Sequence, residues 1–257
     1  MYKRIIVKIG TKVLTTEAGT LDVSFLGHIV DQLVRLREKG LQVVLVTSGA
    51  GAAGRELISL NESKSETVRK QVFTAVGQVK LMNVYAQLFE KYKYHCAQVL
   101  ATKEDFRDKE HYENMQNCFE ALLLDKVIPI VNENDVVATT ELMFTDNDEL
   151  AGLVAKQLKA DALIILTSTD GILNDQGETV SEVNVSNLDL VADWINPSKS
   201  NSGRGGMISK FAVAKELSEK GIIVHIVKGK SENIIERIVA SEKTGTVFLL
   251  HGRQISA

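Results

Sequence analysis

Short β-branched apolar runs alternate along the chain with longer stretches whose apolar residues recur every three or four positions. RIIVKI (4–9) is compact, apolar and closed by Gly10, the pattern of a buried strand. From 22 to 39, Val23, Leu26, Ile29, Val30, Leu33 and Leu36 share one helical face, and the stretch stops at Gly40. A strand over QVVLVT (42–47) follows, then a long helix over 65–92 carrying Val68, Val72, Val76, Val79, Met82, Tyr85 and Phe89. A strand at 95–100, a helix at 110–124 and the strand VIPIV (127–131) complete the first half. The second half repeats the rhythm: helix 147–158, strand 162–167, helix 209–220, strand 222–227, helix 232–239 and strand 246–250. Residues 175–203 break it, being polar, rich in Asn and Ser and interrupted by Pro197, which predicts a hairpin or a mobile excursion. Regular strand–helix alternation predicts an α/β sandwich around a mainly parallel sheet. With neither an internal repeat nor a Pro/Gly linker, residues 1–257 are expected to form one domain.

Composition narrows the class. The 257 residues are 44% hydrophobic and 25% charged, with a net charge of −3, an ordinary globular profile. Lys and Arg are scattered, so no basic groove for nucleic acid is expected. The first apolar run ends at Lys8, too soon for a signal-peptide core, and no run approaches a membrane span. The expectation is a cytoplasmic protein without a membrane partner. Cys96 and Cys118 match neither a disulfide framework nor a zinc site and are expected to be buried thiols in a reducing compartment.

The candidate chemistry lies after the strands, where open α/β sheets bind ligands. VTSGAGAAGRE (46–56) fills the G-x-G-x-x-G template through Gly49, Gly51 and Gly54. A dinucleotide site, however, needs an acidic residue about 20 positions on at the end of a strand. Here Arg69 lies mid-helix, and a strand and helix precede the motif, so the context fails. GRGGMISK (203–210) is not a Walker A loop. Its Gly203, Gly205 and Gly206 ahead of a helix would suit phosphate, with Lys210 in the first turn reaching a terminal phosphate. The same residues also read as a plain glycine turn. Lys8 stands inside an apolar strand, where an ammonium is costly unless paired or turned to solvent.

Two carboxylate/amide clusters, Asn132-Glu133-Asn134-Asp135 and Asp146-Asn147-Asp148, admit two readings. They can be Asx turns and caps, with Asp146 placed to cap the next helix. They also suit a small zwitterion, a carboxylate for its ammonium and amides for its carboxylate. No histidine falls in these segments. Phosphoryl transfer to a carboxylate needs none, because that acceptor is already ionised; it needs cations and backbone donors around the moving group.

Taken in order, VKIGTKVLT (7–15), VTSGAGAAGRE (46–56), AVGQ (75–78), VNENDVVAT (131–139), TDNDELA (145–151), LTSTDGIL (166–173) and GRGGMISK (203–210) resemble the amino acid kinase family, and within it the glutamate 5-kinases. The resemblance implies a three-layer αβα fold, ATP with Mg²⁺ and L-glutamate as ligands, and a homo-oligomer, dimer or tetramer. It implies that Lys8 and Lys210 neutralise the γ-phosphate while Asp148 holds both lysines. It implies a glutamate site at Ser48, Gly49, Ala50, Asn134, Asp135, Asp146 and Asn147. Nucleotide would meet Lys8, Gly10, Thr167, Ser168, Asp170, Arg204, Gly205, Gly206, Met207 and Lys210, with no protein group assigned to the metal. The chain departs from the family where Thr145 replaces a glycine, Ser168 an aspartate and Arg204 a threonine. It is also expected to lack the C-terminal PUA domain of many relatives, which bears on inhibition by proline. Kinases of acetylglutamate, aspartate or carbamate, and a nucleotide-binding regulator without turnover, are the alternatives.

Overall fold

The computed structural model describes residues 2–60, 65–138, 144, 146–195 and 205–249. Among these, the strands are β1 (Arg4–Ile9), β2 (Gln42–Val46), β3 (His95–Ala101), β4 (Val127–Glu133), β5 (Ala162–Thr167), β6 (Glu182–Val183), β7 (Ile223–Lys228) and β8 (Thr246–Phe248). They form one sheet in the order β3-β4-β2-β1-β5-β7-β8-β6. All neighbouring pairs run parallel except β7 and β8, as the alternation of strands and helices anticipates.

Strand periodicity sorts side chains into two layers. Ile5, Val7 and Ile9 face α2 (Val23–Glu38), α4 (Glu66–Glu90) and α9 (Ile234–Val239). Ile6, with Val44, Val46, Leu163 and Ile165, faces α5 (Lys109–Leu124), α6 (Asn147–Gln157) and α8 (Gly205–Glu219). The result is a three-layer αβα sandwich. Lys8 has the parity of Ile6 and therefore points towards α6 and α8. Carboxylates start three of these helices: Asp22 accepts from the Phe25 N–H, Asp108 from the His111 N–H and Asp146 from the Asp148 and Glu149 N–H groups, satisfying donors that a helix leaves free.

Four expectations are refined or corrected. The polar stretch after β5 contains a hairpin bridged at Leu173 and Thr179, then β6 and the helix α7 (Leu188–Ile195). Its apolar residues cluster within the eight residues of α7, too short a run to establish a period against the polar residues around it. Two short helices also follow strands directly, α1 (Thr11–Leu14) and α3 (Ala50–Leu57). α8 starts at Gly205 rather than 209, so Lys210 lies in its second turn. Cys96 is half-buried and Cys118 exposed, so the thiols are not both core residues.

One core contact couples the fold to pH. The His225 side chain is buried in β7 with its Nε2 2.8 Å from the Tyr2 hydroxyl, and burial pushes its pKa down from 6.5 to about 4. The unfolded chain therefore binds a proton more readily than the folded one. Stability contributed by neutral His225 is whole above pH 6.5 and is lost as pH falls from there towards 4. The full loss amounts to about 3 kcal/mol. Urea denaturation at pH 7.5 and 4.5 is expected to show that loss in the parent and not in His225→Phe; equal loss in both would remove His225 as its source.

Candidate active site

β1 sits between β2 and β5, and Lys8 pairs in register with Val46 on one side and Ile165 on the other. Strand order runs outward from β1 in both directions, which makes its carboxyl end the place where a crevice opens. Level with it are Gly10–Val13 after β1, Ser48 after β2 and Thr167–Thr169 after β5. Together with the first residues of α6 and α8 they line a cavity of about 560 Å³. The N-terminal residues of α1, α6 and α8 all border it, and helix N-termini present free N–H groups and partial positive charge.

At its base lies a buried ion triplet. Lys8 Nζ is 2.6 Å from Asp148 Oδ1, and Lys210 Nζ is 2.9 Å from Asp148 Oδ2. The first contact is an ion pair without good hydrogen-bond direction; the second is a hydrogen bond. Asp148 is fully buried and Lys8 nearly so, so the solvent alternative for Lys8 is excluded. Burial pushes the Asp148 carboxyl up, but the two ammoniums outweigh it and hold the pKa below the usual carboxylate range. Lys210 also donates to the Gly206 carbonyl at 2.9 Å, which ties it to the start of its own helix. Two cations share one carboxylate, leaving a net positive charge at the cavity base.

Asp146 caps α6 as its sequence position suggests, accepting from the Asp148 and Glu149 N–H groups and from the Ser209 hydroxyl. The next residue, Asn147, is the hub of the opposite wall. Its Nδ2 donates to the Thr47 carbonyl at 2.6 Å, to Ser48 Oγ at 2.9 Å and to Asn132 Oδ1 at 2.9 Å. Asn132 in turn donates to Gln78 Oε1 at 3.0 Å. This relay connects the main cavity to a smaller one of about 210 Å³, lined by Ala50, Asn134, Asp135, Gln78, Glu133 and neighbours. There Asp135 Oδ1 is 2.9 Å from the ammonium of Lys70. Glu133 is pushed up by burial and takes the Phe144 N–H at 2.9 Å.

Lys8, Gly10, Ser48, Asp146, Asn147, Asp148, Thr167, Ser168, Gly206, Met207 and Lys210 are thus brought together, while Ala50, Asn134 and Asp135 sit in the adjoining cavity. Two expected residues line neither cavity. Gly49 caps α3 with φ +96°, packed under Leu14 and Leu21, a backbone conformation that favours glycine. Asp170 is exposed and faces Lys228 at 3.4 Å. Gly205 opens α8, and Arg204, Gly203 and Thr145 lie outside the described residues.

The third glycine of the fingerprint has a different task. A Cβ on Gly54 would stand 1.9 Å from the Phe73 carbonyl oxygen, and one on Gly77 would stand 1.8 Å from that of Ala50. These two glycines let α3 and α4 touch backbone to backbone, which also accounts for AVGQ. The sequence reading left out Asn132, Lys12 and Trp194. Asn132 and Lys12 belonged to motifs already marked; Trp194, at the cavity wall, carries no motif.

Among the described residues no group of three His, Cys, Asp or Glu could hold a metal, and no helix is long and apolar enough to cross a membrane. Both Asp148 oxygens face lysines and Asp146 caps a helix. This donor set suits a cation carried on a ligand's own oxygens.

The family model described as "Amino acid kinase family" matches residues 3–228. Glutamate 5-kinase of Chlorobaculum tepidum is 46% identical over 252 residues, covering 97% of this chain and 70% of that protein. Glutamate 5-kinase of Caldanaerobacter subterraneus is 39% identical, covering 99% of this chain and 70% of its own. Among solved structures, carbamate kinase from Giardia lamblia superposes with a TM-score of 0.67 at 17% identity, covering 96% of this chain and 98% of that one. UMP kinase from Bacillus anthracis gives 0.65 at 13%, covering 100% and 99%, so both share the fold. With motifs, buried ion triplet and architecture in agreement, the chain belongs to the amino acid kinase family, and within it to the glutamate 5-kinases.

Proposed function

We propose that the chain transfers the γ-phosphoryl group of ATP to the side-chain carboxylate of L-glutamate, giving L-glutamyl 5-phosphate for proline biosynthesis. The observation that carries this is the buried Lys8–Asp148–Lys210 triplet at the convergence of three helix N-termini, with Ser48 and Asn147 beside it. Two anions, a carboxylate and a terminal phosphate, repel each other, and only fixed positive charge lets them meet. A carboxylate oxygen attacks the γ-phosphorus while the bond to the β,γ-bridging oxygen breaks, and ADP leaves with that electron pair. No proton moves, which fits a site without a general base.

Lys8 and Lys210 face the transferring group from the cavity base, and Asp148 holds them on fixed positions so that they need not reorganise. The nucleotide lies along Gly10, Thr167, Ser168 and the start of α8. Glutamate reaches from the small cavity, where Asp135 takes its α-ammonium, past Ser48 and Asn147 to the triplet. Lys70 already places an ammonium on Asp135, so the spot accepts that charge. Mg²⁺ held by the phosphates adds charge neutralisation. Val68 and Val79 remain exposed on α4, a surface that suits contact between copies in a homo-oligomer.

ATP consumption with hydroxylamine trapping is expected with L-glutamate and not with N-acetylglutamate, aspartate or carbamate. Asp135→Asn is expected to raise KM for glutamate at least tenfold with KM for ATP within twofold. Equal turnover of N-acetylglutamate would replace the proposal with an acetylated substrate, and no turnover of any acceptor would leave a nucleotide-binding protein.

A further inference from the structure

The small cavity beside Asp135 contains a buried donor that the fold leaves unused. Three amide side chains line it: Gln98 is exposed, Asn134 partly so, and Gln78 is buried at 9% exposure. Gln78 follows Gly77, where α4 meets α3 backbone to backbone, so its stem has a fixed origin beside Ala50. The orientation of its amide is set by a chain of donors. The Glu133 backbone N–H, which can only donate, meets Asn132 Oδ1 at 3.0 Å, and Asn147 Nδ2 donates to the same oxygen at 2.9 Å. Asn132 must therefore turn its Nδ2 to Gln78, which meets it with Oε1 at 3.0 Å. That leaves Gln78 Nε2 at the end of the relay, buried and with no hydrogen-bond partner among the described residues. A buried N–H without an acceptor is costly, and native structures rarely keep one without a reason.

Asn132 does not line this cavity, so the oxygen of Gln78 is turned into the wall and its nitrogen is the group left for the cavity. We infer that Gln78 is a substrate-binding residue whose Nε2 donates to the α-carboxylate of the amino acid acceptor. The inference rests on L-glutamate being that acceptor and names the group that holds its remaining charge. The proposed site meets the side-chain carboxylate at the lysine triplet and the α-ammonium at Asp135, which leaves the α-carboxylate to be met in the small cavity. Two acids, Glu133 and Asp135, line that cavity, so an incoming carboxylate needs a donor there. Burial pushes the Glu133 carboxyl up, which lessens its repulsion but supplies no bond to replace the one Gln78 offers. Hydrogen bonds to an ionised acceptor are about twice as strong as neutral ones. The same relay holds Asn147 against Ser48, so one hydrogen-bonded framework would fix both ends of the acceptor.

4-Aminobutyrate isolates the contact, because it is glutamate without the α-carboxylate. As a competitor of glutamate in the parent it is expected to show a Ki well above the KM for glutamate. Gln78→Met is expected to raise KM for glutamate about tenfold. Its kcat should stay within threefold, and its KM for ATP and its Ki for 4-aminobutyrate within twofold, so the gap between the two acids narrows. Gln78→Glu keeps an oxygen for Asn132 but sets a second one against the substrate carboxylate, and should raise KM for glutamate at least as far. Thermal melting checks that the variants fold, and either folded variant decides the matter. The inference is overturned if KM for glutamate stays within twofold of the parent, as a nitrogen that holds only a buried water would leave it. It is equally overturned if Ki for 4-aminobutyrate rises by the same factor as KM for glutamate, which a merely structural role would produce. Binding of 4-aminobutyrate by the parent as tightly as glutamate would overturn it too. Absence of glutamate turnover by the parent would instead overturn glutamate as acceptor, and this contact with it.

Discussion

Lys8→Met is expected to lower kcat about a thousandfold while KM for glutamate changes less than threefold, and Lys210→Ala is expected to act in the same direction. The asymmetry follows from when the charge is needed. In the proposed ground state the two anions are held by separate groups, glutamate by Ser48, Asn147 and Asp135 and the nucleotide largely by backbone N–H groups. Only as phosphorus and carboxylate oxygen approach does the repulsion between them rise, and the ammonium interactions strengthen with it. Lys8 sits at the end of a central strand with its ammonium 2.6 Å from Asp148, so water cannot replace its charge without rebuilding the core. Removing one cation also leaves Asp148 buried beside a single partner, a change that costs about 3–5 kcal/mol in comparable pairs. Melting curves must therefore accompany the kinetics, and kcat is compared on folded protein. An effect on KM alone, with kcat preserved, would remove Lys8 and Lys210 from the transfer step.

The hydrophobic pattern was a good guide where elements are long or fully buried. β1 and β5 fall on the expected residues, and α2, α4, α5 and α6 differ by a residue or two at their ends. It failed where structure is short and paid for by tertiary contact. α1 has four residues and no cap side chain, and α7, though mostly apolar, is only eight residues long, with Val191 and Ile195 reaching the core. The site was legible in part for a related reason. Lys8 was visible because an ammonium in an apolar strand demands an explanation, and Asp146 because an acid before a helical run is a cap. The pairing of Lys8 with Asp148 and Lys210 joins residues far apart in sequence, and no local pattern encodes it. The pairing of Asn132 with Gln78, each inside a marked motif, is hidden for the same reason: their hydrogen bond exists only once β4 and α4 are adjacent.

The glycine-rich turn after β2 is where composition misled most and where geometry gives the sharpest test. Its three glycines look equivalent in a G-x-G-x-x-G template, but their surroundings differ. A Cβ on Gly51 would meet nothing closer than Thr74 Cγ2 at 3.5 Å, an ordinary contact, so Gly51→Ala is expected to be neutral or to stabilise by about 0.5–1 kcal/mol through helix propensity. A Cβ on Gly54 would fall 1.9 Å from the Phe73 carbonyl oxygen, and one on Gly77 would fall 1.8 Å from that of Ala50 and 2.3 Å from the Gly54 nitrogen. These obstacles are backbone atoms, which cannot swing aside as a side-chain tip can. Gly54→Ala and Gly77→Ala must push α3 away from α4 and are each expected to cost about 3 kcal/mol or more. The displacement would also reach the proposed glutamate site, because α3 begins at Ala50, two residues after Ser48, so surviving folded enzyme should show a raised KM for glutamate with KM for ATP little changed. Urea denaturation and steady-state kinetics on the three variants separate the two tasks. If Gly51→Ala proved as damaging as the others, the turn would be serving a ligand through all three glycines, and the close crossing of α3 and α4 would not be what Gly54 and Gly77 are for.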